Sequence, residues 1–385
     1  MKTNALYIHI PFCNHICSYC DFCKIYYRED LANAYIEALQ KELHTLSITD
    51  PLYTLYIGGG TPSSLNYQQL QMVMTMIQPY ITKETIEVSI EVNPESMDKK
   101  KLEILKKGKV NRISIGVQTF DPQLVANINR KHSLSQVVSL VREAYAMGFI
   151  VSLDMMYGLE HQTLTTIKKD LQILSTLSLH HISYYSLIIE KHTRLYQQKY
   201  QGIQEDLEFE MLQTIDQSLE SMGYKQYEVS NYAKAGYQSK HNTAYWKYNN
   251  YFGIGVGATS KIDHQMHTHN RNIYDYIKGK QTITTENMRL EDSLFNTIMM
   301  SLRLLEGIDI TTINERYQID FEKKYAAVIQ KHIANGSLHK TNGYLHCNKQ
   351  SLWIMNTILL DFFSTDVRYE EIPKGNSKDA PILER

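Results

Sequence analysis

Residues 5–23 read ALYIHIPFCNHICSYCDFC, and this stretch decides the fold. Its first six residues, Ala5–Ile10, form a short apolar run with the length of a β-strand, and a cysteine-rich loop follows at once. Disulfide frameworks spread an even number of cysteines along short secreted chains, so a cluster in a long chain indicates a metal or redox site instead. Four of the five cysteines of the chain lie in this loop: Cys13, Cys17, Cys20 and Cys23.

Short apolar runs alternate with longer amphipathic ones through the first half of the chain. Further strands are predicted at Tyr53–Ile57, Ile86–Val92, Arg112–Val117, Ile150–Met155 and His181–Leu187. Helices are predicted at about 30–47, 66–78, 98–107, 134–147, 163–177 and 204–222. Such alternation means parallel strands joined by crossovers, in either a doubly wound sheet or a β/α barrel.

The residues that follow each strand distinguish these two architectures. The second strand runs into Gly58-Gly59-Gly60-Thr61-Pro62, and polar residues such as Glu91, Gln118 and Asp154 lie at or near the ends of later strands. Barrel enzymes collect site residues from the ends of many strands, whereas a doubly wound sheet concentrates them at one switch point. Six units rather than eight therefore predict an α/β fold with an open, partial (β/α)6 barrel.

The alternation of strands and helices ends after the sixth unit. We expect the partial barrel to occupy residues 1–225, and a side extension of irregular and β structure, including His241–Trp246, to occupy 226–285. For residues 286–369 we predict a small α+β domain that resembles a winged helix, with a hairpin turn at Asn342-Gly343. The charged tail at 370–385 is predicted to be disordered.

Composition excludes several classes of protein. The 385 residues hold 40 Lys and Arg against 41 Asp and Glu, and this balance gives no support to counterion-driven nucleic-acid binding. Apolar runs stop well short of the roughly 18 residues that a membrane span needs, and the amino terminus carries no export signal. We expect a cytoplasmic protein with no transmembrane segment. Peripheral membrane contact and the choice between monomer and homodimer stay open.

The spacing Cys13-x3-Cys17-x2-Cys20 lets several thiolates converge on one metal centre. Soft sulfur ligands select zinc, copper(I) or an iron–sulfur cluster. Structural zinc normally takes two separated ligand pairs, and Cys23 is the one available fourth ligand, so a zinc knot stays as an alternative. Three cysteines on a four-iron cluster would leave one iron open to an outside ligand, which suits catalysis.

This motif after a first strand resembles the signature of radical S-adenosylmethionine (SAM) proteins. The resemblance implies a [4Fe-4S] cluster held by Cys13, Cys17 and Cys20, with SAM on the open iron. It also places Tyr19 near the adenine, and sets Gly59, Gly60 and Thr61 against the methionyl amino group.

Further segments, among them Glu91-Val92-Asn93-Pro94 and Asn129-Arg130-Lys131-His132, resemble the oxygen-independent coproporphyrinogen III oxidase group. That resemblance implies SAM contacts from Tyr7, Glu91, Gln118, Arg130 and Asp154. Taken singly, each of these residues also fits a purely structural role in a barrel. The resemblance leaves the identity of any catalytic residue unknown.

One branch of this group decarboxylates coproporphyrinogen III in porphyrin biosynthesis, whereas the HemW branch carries heme. Asp21-Phe22 follows Cys20, as in the heme branch. The oxidase branch instead has a fourth cysteine two positions after the third, and this chain has Phe22 there. The oxidase branch also has a long extension before the position of Tyr7, and this chain has six residues there.

The segment His241-Asn242-Thr243-Ala244-Tyr245-Trp246 resembles one that is associated with heme in the HemW branch. The resemblance implies a chaperone that binds heme, with His241 as its candidate contact, and transfers it to an acceptor hemoprotein. A coproporphyrinogen oxidase stays the alternative function, and a hydrogen-bonded histidine that braces the barrel is the alternative role for His241. A tract, His264-x2-His267-x-His269, allows a metal site, although clustered histidines on a polar loop more often have no specific role.

Overall fold

The computed structural model describes residues 3–366, so the predicted disordered tail at 370–385 lies outside the described residues. In chain order the strands are β1 (Thr3–Ile10), β2 (Phe12–Cys13), β3 (Ile25–Tyr26), β4 (Thr54–Gly59), β5 (Glu87–Val92), β6 (Arg112–Gln118), β7 (Ile150–Tyr157), β8 (His181–Ser186), β9 (Lys225–Gln226), β10 (Asn231–Ala233), β11 (Asn250–Ile254), β12 (Thr259–Ile262), β13 (Gln265–His269), β14 (Ile283–Asn287), β15 (Ile308–Asp309), β16 (Leu338–Thr341) and β17 (Tyr344–Cys347).

The α-helices are α1 (Glu29–Thr45), α2 (Tyr67–Ile77), α3 (Lys99–Lys107), α4 (Pro122–Asn127), α5 (Leu134–Ala146), α6 (Leu164–Ser175), α7 (Arg194–Gln197), α8 (Glu205–Ser221), α9 (Lys240–Trp246), α10 (Ile273–Ile277), α11 (Leu290–Ser301), α12 (Ile310–Tyr317), α13 (Phe321–Lys324), α14 (Ala326–Ala334) and α15 (Met355–Asp366). Short 3-10 turns lie at Pro62–Ser64, Gln78–Tyr80, Pro94–Ser96 and Gln350–Ile354. None of these helices is both long and apolar enough to cross a bilayer.

One large sheet contains the six predicted strands side by side, in the order β1-β4-β5-β6-β7-β8, and all five pairings between them are parallel. The helices that connect these strands cover the sheet, as crossover connections require. The sheet continues beyond β8 through β10 to β9, and beyond β1 through β11, β12 and β13 to β14. Within the described residues, the edge strands β14 and β9 do not pair with each other, so the sheet is not closed. The predicted open α/β fold is confirmed.

Helix starts in the barrel follow local sequence signals. Asn66, Ser133 and Thr163 each begin a helix, and the side chain of each accepts a hydrogen bond from the backbone N–H three residues later. The apolar faces of these helices pack on the strands in one continuous core. Local capping and periodicity therefore account for the barrel helices.

The side extension differs from its prediction in one respect. The expected irregular and β structure at His241–Trp246 is wrong, because residues Lys240–Trp246 form helix α9. Its first amides are held from far away in the chain: the Glu87 carboxylate accepts the N–H of Lys240 at 3.0 Å and of His241 at 2.9 Å. Strand β11 follows and pairs parallel with β1, which places Gly253 opposite Tyr7.

The chain divides into two compact units. The first contains the barrel and its extension, up to Gln226 together with Ser230–Ala244 and Asn249–Asn287. The second contains Tyr227–Val229, Tyr245–Tyr248 and the chain from Met288 on. Its three-stranded sheet has the order β15-β17-β16, and helices α11 to α15 pack around a separate apolar core.

Candidate functional site

A cavity of about 470 Å³ lies against the inner face of the parallel strands. Side chains alternate between the two faces of a strand, and in β6 the apolar Ile113, Ile115 and Val117 are buried in the core. The alternate residues of β6 line the cavity instead, and they are Arg112, Ser114, Gly116 and Gln118. The barrel therefore has a polar interior, because every second position of its strands is polar or small.

Three of the four clustered cysteines, Cys13, Cys17 and Cys20, line this cavity. The ends of their loop are fixed by backbone hydrogen bonds, in which the N–H of Ile25 donates to the Pro11 carbonyl at 2.8 Å and β2 pairs with β3. Cys23 does not line the cavity, since its Sγ faces the carbonyl oxygen of Arg271 at 3.9 Å. The three cysteines of the predicted motif are thus separated from the fourth.

Two polar side chains contact the thiols from the strand side. The Thr61 hydroxyl donates to Cys13 Sγ at 3.4 Å, and Arg130 Nη1 donates to Cys17 Sγ at 3.7 Å. Asn93 joins these two donors, because its Nδ2 donates to Thr61 Oγ1 at 3.2 Å and its Oδ1 accepts from Arg130 Nη2 at 2.9 Å. Such donors stabilise sulfur that carries negative charge.

The chemistry of the cavity fits a cationic iron centre. Burial raises the pKa of the Cys13 thiol to about 12, although the Thr61 hydrogen bond lowers it. Thiolates in this setting need a positive partner, which iron supplies. A Cβ on Gly60 would lie 2.8 Å from the Pro11 carbonyl carbon and 3.0 Å from Cys13 Sγ. A glycine is therefore required where the turn after β4 approaches the cysteine loop.

Two buried carboxyl groups face the same cavity. Glu91 accepts hydrogen bonds from the Tyr56 hydroxyl at 2.9 Å and from the Gly59 N–H at 3.1 Å. Burial raises the pKa of Glu91 to about 7, against these two hydrogen bonds. Asp154 accepts from the Ser114 hydroxyl at 2.8 Å, and burial raises its pKa as well. Carboxyl groups so placed can bind an ammonium group and hydroxyls, both of which SAM carries.

Gln118 has a backbone φ of 72°, in the left-handed region. The loop after it is held by Asp170 of helix α6, whose carboxylate accepts from the Thr119 hydroxyl at 2.8 Å and from the Phe120 N–H at 2.9 Å. Tyr19 also lines the cavity and packs against a small apolar cluster that includes Ile128 and Leu159. Contacts outside the cavity therefore position both residues, through hydrogen bonds in the loop after Gln118 and through apolar packing at Tyr19.

Tyr7 and His241 are the two predicted site residues that do not line the cavity. The Tyr7 hydroxyl lies 2.9 Å from His9 Nδ1, and its ring stacks on Tyr56, so Tyr7 packs behind the glycine turn through both residues. The side chain of His241 is fully buried. Its Nδ1 lies 2.8 Å from the Thr54 hydroxyl, and its ring stacks on Tyr56 with 5.0 Å between centroids.

Burial also lowers the pKa of His241 to about 3. In this conformation protein groups enclose the imidazole, as expected of a bracing histidine. The next residue, Asn242, lines the cavity instead.

Several cavity residues were not singled out from the sequence. Ser152 lies two positions before Asp154 on β7, and Ser183 pairs with Asp154 from β8, so a search for polar residues at every second strand position finds both. Arg271 comes from the side extension, far along the chain, and no local pattern indicates it. Within residues 3–366, no three His, Cys, Asp or Glu side chains are grouped to hold a single metal ion.

Comparison with known proteins adds to this geometry. A profile of the Radical SAM superfamily matches residues 7–174, and one of the HemN C-terminal domain matches residues 288–354. The chain is 33% identical to the heme chaperone HemW of Lactococcus lactis, over 96% of this chain and 99% of that protein. It is 34% identical to the heme chaperone HemW of Bacillus subtilis, over 92% of this chain and 97% of that protein.

Among solved structures, coproporphyrinogen III oxidase from Escherichia coli superposes with a TM-score of 0.81 at 21% identity, covering 94% of this chain and 90% of the other. At that identity the superposition shows a shared fold.

Proposed function

The chain belongs to the HemW family of radical SAM proteins, and on that premise we propose that it is a heme chaperone, which binds heme and passes it to an acceptor hemoprotein. The observation that carries the proposal is the similarity, over nearly the whole chain, to relatives that bear this name. Their match includes both the barrel and the region from Met288 on, so it does not depend on the cysteine motif alone.

The cysteine-lined cavity is the proposed site of a [4Fe-4S] cluster with Cys13, Cys17 and Cys20 as ligands. It is supported by their common cavity, by the hydrogen bonds from Thr61 and Arg130, and by the close approach of the glycine turn. When bound, such a cluster supplies one-electron reduction to a SAM molecule on its open iron. The protein's own part would be to hold the thiolates, with the hydrogen bonds from Thr61 and Arg130 beside them.

SAM would lie in the same cavity. Its candidate contacts there have complementary chemistry: carboxyl groups for an ammonium group and ribose hydroxyls, and a guanidinium for a carboxylate. They are Tyr19, Gly59, Gly60, Thr61, Glu91, Gln118, Arg130 and Asp154. Tyr7 stays a candidate SAM contact from the family resemblance, and in this conformation its hydroxyl lies 2.9 Å from His9 Nδ1.

His241 stays the candidate heme contact from the family resemblance. For its imidazole to hold heme, the Thr54 contact and the Tyr56 stacking would have to be broken first, because the side chain is enclosed. Heme binding through His241 would therefore be accompanied by a rearrangement at the start of helix α9.

The test is a titration of the full-length protein with hemin, followed by the Soret absorbance, before and after anaerobic reconstitution of the cluster. We expect a saturable Soret shift, and transfer of the bound heme to an apo-hemoprotein that is separated afterwards. A wild-type protein that gives no Soret shift would remove the proposed function.

The alternative activity is measured on the same preparation. Anaerobic incubation with dithionite, SAM and coproporphyrinogen III yields protoporphyrinogen from an oxidase and none from a chaperone. Product formation at a catalytic rate would replace the chaperone proposal with the oxidase. Anaerobic protein that contains zinc and no iron or sulfide would instead support the zinc knot.

A further inference from the structure

The segment at residues 20–23, which begins with the third clustered cysteine, contains no helix or strand. Its backbone carbonyl groups are bound by side chains instead. The Lys24 ammonium donates to the Cys20 carbonyl oxygen at 2.7 Å and to the Phe22 carbonyl oxygen at 3.1 Å. A lysine carries three donors, so one ammonium group can bridge two carbonyls. Lys24 therefore binds the backbone of Cys20 itself, which is one of the three proposed cluster ligands.

The other two carbonyl groups of this segment are bound by residues from distant parts of the chain. Arg271 Nη2 donates to the Asp21 carbonyl oxygen at 2.9 Å. His9 Nε2 lies 2.7 Å from the Cys23 carbonyl oxygen, and because a carbonyl only accepts, Nε2 carries the proton and donates. All four successive carbonyls of residues 20–23 thus accept a hydrogen bond from a side chain.

Two of the three donors to this segment are cations, Lys24 and Arg271. Both residues line the cysteine-lined cavity. Their hydrogen bonds to the backbone fix where the charged groups lie, next to Cys20 and the residue after it. Among the described residues, neither cation forms an ion pair with a carboxylate. Their positive charge is therefore available to stabilise negative charge inside the cavity.

We propose that Lys24 and Arg271 are positioning residues that make the bound cluster easier to reduce, acting through the backbone of residues 20–23; the proposal rests on the cluster site proposed above. Reduction adds one electron, and so one negative charge, to a [4Fe-4S] cluster. The reduction potential of such a cluster depends on the charge, hydrogen bonds and solvent exposure around it. Two nearby cations stabilise the reduced state more than the oxidised state, so they raise the potential.

The experiment is an anaerobic redox titration of the reconstituted full-length protein with dithionite, followed by electron paramagnetic resonance of the reduced cluster. Lys24→Gln removes the charge and keeps an N–H donor for the segment. We expect a midpoint potential that is more negative by about 59 mV, which is a tenfold change in a one-electron equilibrium constant. Lys24→Arg keeps the charge and should return the potential towards that of the wild type. A merely structural role would not distinguish these two variants by charge.

Arg271→Gln tests the second cation. Lys24 is half-buried and Arg271 is exposed, so water and salt screen the Arg271 charge more strongly. We expect a shift in the same direction that is smaller than the shift in Lys24→Gln. Lys107→Gln on α3 and Arg142→Gln on α5 are the matched controls, because both residues are exposed and neither lines the cavity. Their potentials should equal that of the wild type.

Sulfide content, measured on the same samples, separates failure of this proposal from failure of the cluster site. Wild-type protein that retains no sulfide would remove the cluster site itself. A normal wild-type cluster with unchanged potentials in Lys24→Gln and Arg271→Gln would overturn the role of the two cations and leave the cluster site in place. If Lys24→Gln retained too little cluster to titrate, Arg271→Gln would decide: a more negative potential supports the role, and an unchanged one overturns it.

Discussion

Asn93 is the residue on which the two thiol contacts of the cysteine-lined cavity converge. Its amide donates to Thr61 and accepts from Arg130, and these two residues donate to Cys13 and Cys17. The motif that contains Asn93 was noticed in the sequence, but its role was not, because an amide bridge between two other side chains leaves no pattern along the chain. At this scale, residue types can be predicted and their pairings cannot.

Replacing Asn93 with Ala should weaken both the cluster site and SAM binding. The change leaves the Arg130 guanidinium without one of its buried acceptors, and hydrogen bonds to charged groups contribute about 1.5–3 kcal/mol. We expect SAM affinity to fall by about tenfold or more, with a lower sulfide content after anaerobic reconstitution. Asn127→Ala, an exposed asparagine on α4, is the control. Equal sulfide and equal SAM affinity in Asn93→Ala would contradict the bridging role.

At the scale of elements, helix α9 shows why part of the fold escaped prediction. The carboxylate that binds its first amides belongs to Glu87, which is 153 positions earlier than Lys240. The barrel strands and their helices depend on period-two and period-3.6 patterns that are local, and they were predicted within a few residues. Strand β15 was missed in the same way as α9, since its two residues pair only with the distant β17.

Glu87→Gln should destabilise the protein strongly. Glu87 forms a buried ion pair with Arg112 at 3.0 Å in addition to holding α9, and both side chains are 4% exposed. Removing one partner leaves an uncompensated buried charge, which typically costs about 3–5 kcal/mol. Urea unfolding should show this loss, while Glu84→Gln, in an exposed pair with Lys83, should change the free energy of unfolding by less than about 1 kcal/mol. A small effect at Glu87 would show that α9 is held by other contacts.

Asp170, which anchors the loop after Gln118, should make stability depend on pH. Burial raises its pKa from 3.8 to about 6, so the folded state retains a proton that the unfolded state releases. The stabilisation from this retained proton is fully present below 3.8, the pKa of Asp170 in the unfolded chain, and it is lost as pH rises through about 6. Relative to Asp170→Asn, the wild-type free energy of unfolding should fall by about 3 kcal/mol between about pH 4 and pH 7. Parallel pH profiles for the two proteins would contradict this assignment.

At the scale of the whole molecule, the first compact unit contains two cavities with different chemistry and separate walls. Thiols, carboxyl groups and three guanidinium groups line one, whereas apolar side chains, two imidazoles, exposed lysines and the Glu42 carboxylate line the other. The two walls are connected along the chain after β13, where His269 lines one cavity and Arg271, two residues later, lines the other. His241, the candidate heme contact, does not line the cysteine-lined cavity, so the proposed cluster and heme sites need share no ligand residue.

We therefore expect cluster binding and heme binding to be nearly independent. Substitution of Cys13, Cys17 and Cys20 by Ser should abolish sulfide retention and leave hemin affinity within about twofold of wild type, because distant sites usually add within about 0.5 kcal/mol. His241→Ala should show the reverse, with normal sulfide content and weak hemin binding. Sulfide and SAM are the readouts for the first cavity, since heme would add to an iron measurement. A tenfold loss of hemin affinity in the cysteine variant would place heme in the cysteine-lined cavity and contradict the division of roles.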